Sequence, residues 1–111
     1  MVPMKIYREV KMLAKVLIRR KFRTGHTKEI VALLNDLRAV AMRQTGYLSG
    51  LTLMAPDNSN NMLVIGTLQS LEDWHCWKAD PDRTRLEAML EIYQDGPTQY
   101  EAYVVGTGFT G

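Results

Sequence analysis

The 111-residue chain reads as an α+β domain of the split βαβ type, with elements in the order β-α-β-β-α-α-β. Three observations carry that reading. An alternating, β-branched segment opens the domain, and an apolar stripe at helical spacing comes after it. Two strand-like runs joined by turn formers come next. The expected architecture is a four-stranded antiparallel sheet with its helices on one face.

The first strand is Leu13 to Phe22, LAKVLIRRKF, which puts Val16, Ile18 and Arg20 on one face and Leu17 and Arg19 on the other. TGHT turns the chain, and Thr27 is placed to cap the first helix. From Lys28 to Gln44, Ile30, Leu33, Leu34, Leu37, Val40 and Ala41 recur at helical spacing, with Asp36, Arg38 and Arg43 outward. Gly46 stands where a C-cap belongs. YLSGLTLM (Tyr47 to Met54) and NMLVIGTLQ (Asn61 to Gln69) form a hairpin across APDNSN, a loop expected to be longer than the tightest type. Ser70 with Asp73 resembles a capping box and opens a short helix, LEDWHCWKAD. Asp80 caps the next helix with Pro81 at its first position, and Leu86, Met89, Leu90 and Tyr93 form its apolar stripe. Asp95-Gly96-Pro97 ends it, and TQYEAYVVG supplies the last strand.

Composition narrows the function classes. One cysteine cannot form an internal disulfide. Every apolar run is broken well short of the ~18 residues a membrane span requires, so no membrane partner is expected, and a cytoplasmic location is the default. The charge is uneven: residues 1–28 carry a net of +8, and the remainder a net of −6. Neither a helix-turn-helix nor an RNP-type aromatic strand accompanies the basic segment, so a nucleic-acid partner is not expected. Residues 1–11 are expected to be an N-terminal extension and residues 12–111 the domain, with Met12 a candidate start. The hairpin is apolar on both parities (Leu48, Met54, Val64 and Leu68; Leu51, Leu53, Leu63 and Ile65), so the sheet face without helices needs a cover. A homodimer packed sheet against sheet provides it.

GYLSGLTL after the first long helix, LVIGTLQSLEDWHCW from strand into helix, and PTQYEAYVV at the end resemble the antibiotic biosynthesis monooxygenase family. The resemblance spans about Leu13 to Val105. It implies a dimeric α/β barrel of ferredoxin-like protomers, with a pocket between helices and sheet. Its implied activities are cofactor-independent oxidation of polycyclic phenols to quinones, and oxidative haem breakdown. The family's haem-degrading set falls here on Leu17, Trp77 and Glu87, where only the tryptophan matches and no axial histidine is present, so haem breakdown is disfavoured. The quinone-forming set falls on Val64, Leu68, Trp74 and Glu87, where only an aromatic matches. The resemblance therefore implies a cofactor-free monooxygenase of an aromatic or polycyclic small molecule, or a non-catalytic module that binds or senses one.

The residues admit both a chemical and a plain reading. Trp74 and Trp77 lie three apart on one helical face and wall either a pocket or a core. His75 is a candidate base by its titration range, though helical geometry turns it away from Trp74. With Trp77 it makes the catalytic candidate pair. Arg19, if turned into the pocket, holds an anionic substrate. His26 reads as a surface or near-cap residue. Tyr47, Tyr100 and Tyr103 either donate to a bound oxygen or line a dimer seam. His75 and Cys76 are adjacent, so they diverge on a helix and cannot chelate one metal. Cys76 is expected to be buried and inert.

Overall fold

The computed structural model describes residues 12–106, so the expected extension over residues 1–11 lies outside the described residues. The element order is β1 (Ala14–Lys21), α1 (Thr27–Met42), β2 (Tyr47–Ala55), β3 (Asn58–Leu68), α2 (Leu71–Lys78), α3 (Pro81–Glu91) and β4 (Gln99–Val104). All pairings are antiparallel, and the strands lie in the order β2-β3-β1-β4. The α+β split βαβ order read from the sequence is the one the chain adopts.

Alternation does what it should in β1. Val16, Ile18 and Arg20 are buried beneath the helices, while Lys15, Arg19 and Lys21 are exposed on the other parity. Two apolar clusters fill the helix side. Phe22, Ile30, Leu33, Leu37, Val40, Leu86 and Leu90 join α1 and α3 to the end of β1. Val16, Ile18, Ala41, Leu68, Trp74 and Trp77 seat α2 on the sheet.

Several local expectations are corrected. Position 27 begins α1 rather than capping it; the cap is His26, which makes no side-chain capping bond but packs its ring against Tyr93 at 5.1 Å. The C-cap of α1 is Arg43, and Gly46 comes three residues later with φ +81°. A Cβ at Gly46 would overlap the Asp73 carboxylate, so glycine is required there for both backbone and space. The β2–β3 loop is short, with only Pro56 and Asp57 outside the strands. Proline holds φ negative, and no described non-glycine residue has a positive φ. The hairpin therefore lacks the primed turn that matches strand twist, and a register shift between Met54 and Ala55 absorbs the mismatch. Both later caps form as read: Ser70 Oγ accepts from the Asp73 N–H, and the Asp80 carboxylate accepts from the N–H groups of Asp82 and Arg83.

The largest correction falls on α3. Its buried residues are Arg83, Leu86, Glu87 and Leu90, an i, i+3, i+4, i+7 stripe that includes two charged side chains. Met89 is 43% exposed. The apolar stripe expected from the sequence thus holds at Leu86 and Leu90 but not at Met89, and Arg83 and Glu87 are buried in its place.

Candidate functional site

Between the helix layer and the sheet lies a cavity of about 280 Å³, near the small end of the ~300–1,000 Å³ usual for small-molecule sites. Ile18 on β1, Leu37 and Ala41 on α1, and Val64 on β3 form apolar wall, and Trp77 closes it from α2. Trp77 reaches this position because β3 offers no side chain at Gly66, where a Cβ would lie 3.3 Å from the indole Cζ3. Its ring meets Tyr47 edge-on at 5.7 Å and Trp74 at 5.3 Å.

The polar wall is a buried charge cluster. Arg20 arrives from the helix-facing parity of β1, and Arg83 and Glu87 lie one turn apart on α3. They are 6%, 3% and 7% exposed respectively. Glu87 Oε2 accepts from the Arg20 guanidinium and from Arg83 Nη2 at 3.0 Å. The other carboxylate oxygen accepts from Thr98 Oγ1 at 3.3 Å. Arg83 also donates to the Tyr100 hydroxyl at 2.9 Å, and its guanidinium sits over the rings of Tyr100, Trp77 and Trp74 at 5.1–5.6 Å. Burial first, and the nearby Glu87 charge second, push the Tyr100 hydroxyl above its usual pKa, so it stays protonated there. Arg20 Nε and Trp77 Nε1 are buried and have no hydrogen-bond partner among the described residues.

The structure gathers only part of the sequence-derived set. Trp77, Val64 and Glu87 line the cavity. Leu68 and Trp74 do not; both are packed in the core behind it. Leu17 and Arg19 lie on the sheet face without helices, because strand alternation sends them opposite to Ile18 and Arg20. Arg19 pairs there with Glu101 at 3.3 Å, so it cannot hold a ligand in this cavity. His75 is exposed and does not line it. Cys76 is exposed, correcting the expected buried thiol: with Trp74 and Trp77 facing the sheet, the two residues between them rotate outward. Of the tyrosines, Tyr47 is on the cavity wall, while Tyr103 lies exposed and donates to Glu101 at 2.9 Å.

Arg20 and Arg83 are site residues that sequence reasoning does not single out. The signal is present for both: Arg20 shares parity with Val16 and Ile18, and Arg83 with Glu87 interleaves Leu86 and Leu90 at helical spacing. Among the described residues, no group of three or more His, Cys, Asp or Glu side chains is placed to hold a metal. No described helix is long and apolar enough to cross a membrane.

No family model matches the sequence, and no curated protein does. Solved structures do match. The fold is that of the antibiotic biosynthesis monooxygenase proteins. One similar structure is SnoaB, a cofactor-independent oxygenase from Streptomyces nogalater, at TM-score 0.75 and 14% identity, over 90% of this chain and 99% of that one. A protein of Nitrosomonas europaea, provisionally assigned as an antibiotic biosynthesis monooxygenase, matches at TM-score 0.77 and 13% identity, over 92% and 97%. A conserved protein of Methanosarcina mazei Go1 matches at TM-score 0.77 and 11% identity, over 87% and 96%.

Proposed function

We propose that the chain is a cofactor-independent monooxygenase of a compact aromatic small molecule bound against Trp77. The observation that carries this reading is the cavity itself, apolar on most of its wall, closed by an indole and furnished with one buried polar cluster, in a fold shared with an oxygenase of this kind. Such chemistry uses the substrate as its own reductant. A ring CH₂ flanked by phenolic rings loses a proton, and the resulting anion passes electrons to O₂. One oxygen atom ends in the new C=O, and the other leaves as water with the two hydrogens of the CH₂. The protein must bind the ring, exclude water and favour the anion.

The residues present can do these things without a dedicated base. Among the described residues, Glu87 is the one carboxylate on the cavity wall, and two guanidinium groups already engage it. Deprotonation then rests on the acidity of the substrate, raised by the neighbouring cations. His75, exposed and off the wall, is given no proton-transfer role.

The test is oxygen uptake by metal-free protein with 1,8-dihydroxyanthrone. Turnover above the uncatalysed rate, lowered by Trp77→Ala, is expected. Saturable binding with no uptake would replace the oxygenase reading with a binding or sensing module.

The same reading includes a homodimer packed through the sheet face that lacks helices. Leu51 and Leu53 are exposed there beside Leu63 and Ile65, their register partners on β3, and monomers rarely leave such a patch bare. Light scattering should give a dimer mass at micromolar concentration, and Leu51→Lys should give a monomer. A monomer mass for the unaltered chain would rule the assembly out.

A further inference from the structure

We infer that Tyr47 limits the size of the ring system the cavity admits, and that the β2 bulge at Leu48 and the bare backbone of Gly50 hold its phenol across the cavity mouth. The inference deepens the proposed function by naming a residue that governs substrate choice, and it rests on that reading only for the location of the site.

The position of the mouth is the first observation. Of the residues around the cavity, Ile18, Leu37 and Trp77 are buried, whereas Val31 and Arg38 on α1 and Thr52 on β2 are exposed. The cavity therefore opens between α1 and β2, and β2 is an edge strand of the sheet. Tyr47 and Gly50, both half-buried, stand on the β2 side of that opening.

The second observation is how Tyr47 comes to face inward. Cross-strand partners share a face, and Gly50 and Thr52 pair with Gly66 and Val64, on the side of β3 that carries the buried Leu68. Simple alternation back from Gly50 would put Leu48 on that side and Tyr47 on the other. The register shift between Tyr47 and Ser49 breaks the alternation, so Tyr47 pairs with Leu68 and turns toward the helices, while Leu48 is left exposed. A bulge re-aims a side chain in this way, and bulges are over-represented beside active sites.

Room for the ring is the third observation. Gly50 and Gly66 are register partners, which leaves a notch on the helix side of the sheet where neither strand carries a side chain. A Cβ at Gly66 would press on the Trp77 indole, and one at Gly50 would overlap the Tyr47 hydroxyl. The phenol thus lies along β2 from position 47 to position 50, with its ring edge-on to Trp77. A ligand laid against the indole has this phenol at its outer edge, and a larger ring system meets it first. Removing the phenol lengthens the space, whereas a methyl group at position 50 lifts the phenol into it.

The test compares 2-naphthol with 1-hydroxypyrene, monophenols of different ring size, by calorimetry under argon, so that no turnover enters. Circular dichroism checks that each variant is folded. Tyr47→Ala should shift the affinity ratio toward hydroxypyrene by about tenfold, as expected for relieving a misfit in an apolar pocket. Gly50→Ala, which retains the phenol and displaces it, should shift the ratio the opposite way. In the Tyr47→Ala background Gly50→Ala should change the ratio little, because it acts through the phenol. A merely structural role would lower stability in each variant without moving the ratio. A ratio unmoved by Tyr47→Ala in the folded protein would overturn the inference, as would a Gly50→Ala effect of equal size in both backgrounds. O₂ uptake on dihydroxyanthrone with an unmoved ratio would sink this inference alone. The predicted ratio shifts without O₂ uptake would leave it standing and remove the oxygenase reading.

Discussion

Replacing Glu87 with leucine leaves two guanidinium groups buried without their shared acceptor. Each arginine side chain is 4% exposed and the glutamate side chain 9%, so solvent cannot take over the carboxylate's role. Removing one partner of such a cluster costs about 3–5 kcal/mol, against a total stability of roughly 5–15 kcal/mol for a domain. At about 4 °C per kcal/mol for a chain of this size, the melting temperature should fall by roughly 12–20 °C. Glu87→Gln keeps an acceptor oxygen and should cost less, on the order of 1.5–3 kcal/mol for the weakened charged hydrogen bonds. The triple change Arg20→Met, Arg83→Met, Glu87→Leu removes every stranded charge and should recover most of the loss. Thermal unfolding followed by circular dichroism measures all three. A loss below about 1 kcal/mol for Glu87→Leu would show that the guanidinium groups find water or other partners, and the buried-charge argument would fall.

Three further outcomes rest on local geometry. Gly46→Ala combines a left-handed backbone, worth about 1–2 kcal/mol, with displacement of the Asp73 carboxylate that accepts from Ser70 Oγ at 2.9 Å, so urea unfolding should show a loss of at least that size. The Asp80 carboxyl is held below its usual 3.8 first by the Arg83 N–H and then by Gln44. Its stabilisation is thus present above about pH 4 and lost as pH falls through the lowered value, and the melting temperature of Asp80→Asn, which retains a cap acceptor, should fall less steeply on acidification. Gly66→Ala presses a methyl group onto the Trp77 indole, so near-ultraviolet circular dichroism should change and dihydroxyanthrone affinity drop, while a closely matching spectrum and affinity would show that the ring has room to yield.

The fold is legible in the sequence because its signals are local and agree with one another. The β1 alternation, the α1 stripe, and the Ser70 and Asp80-Pro81 caps each specify an element without reference to the rest. The β2–β3 turn is harder to read because Asn58 and Asn60, good turn formers, are drawn into β3, where the Asn60 N–H donates to Asn58 Oδ1 at 3.0 Å. The site is less legible, for a physical reason. Arginine and glutamate on a strand or helix are usually solvated, and only the packing of β1 beneath α3 makes Arg20, Arg83 and Glu87 partners. Family resemblance reaches Glu87 and Trp77, yet it also points to Leu17 and Leu68. Strand parity turns the first away from the cavity, and core packing occupies the second.

The central claim is that an aromatic ligand binds in the cavity against Trp77. The two tryptophans give two indole N–H signals in a nitrogen-15 correlation spectrum, and Trp77→Phe assigns them. Anaerobic titration with 1,8-dihydroxyanthrone should move the Trp77 signal saturably, as expected for an aromatic ring laid against the indole, while the Trp74 signal shifts less. Saturable binding that leaves the Trp77 signal in place would contradict it.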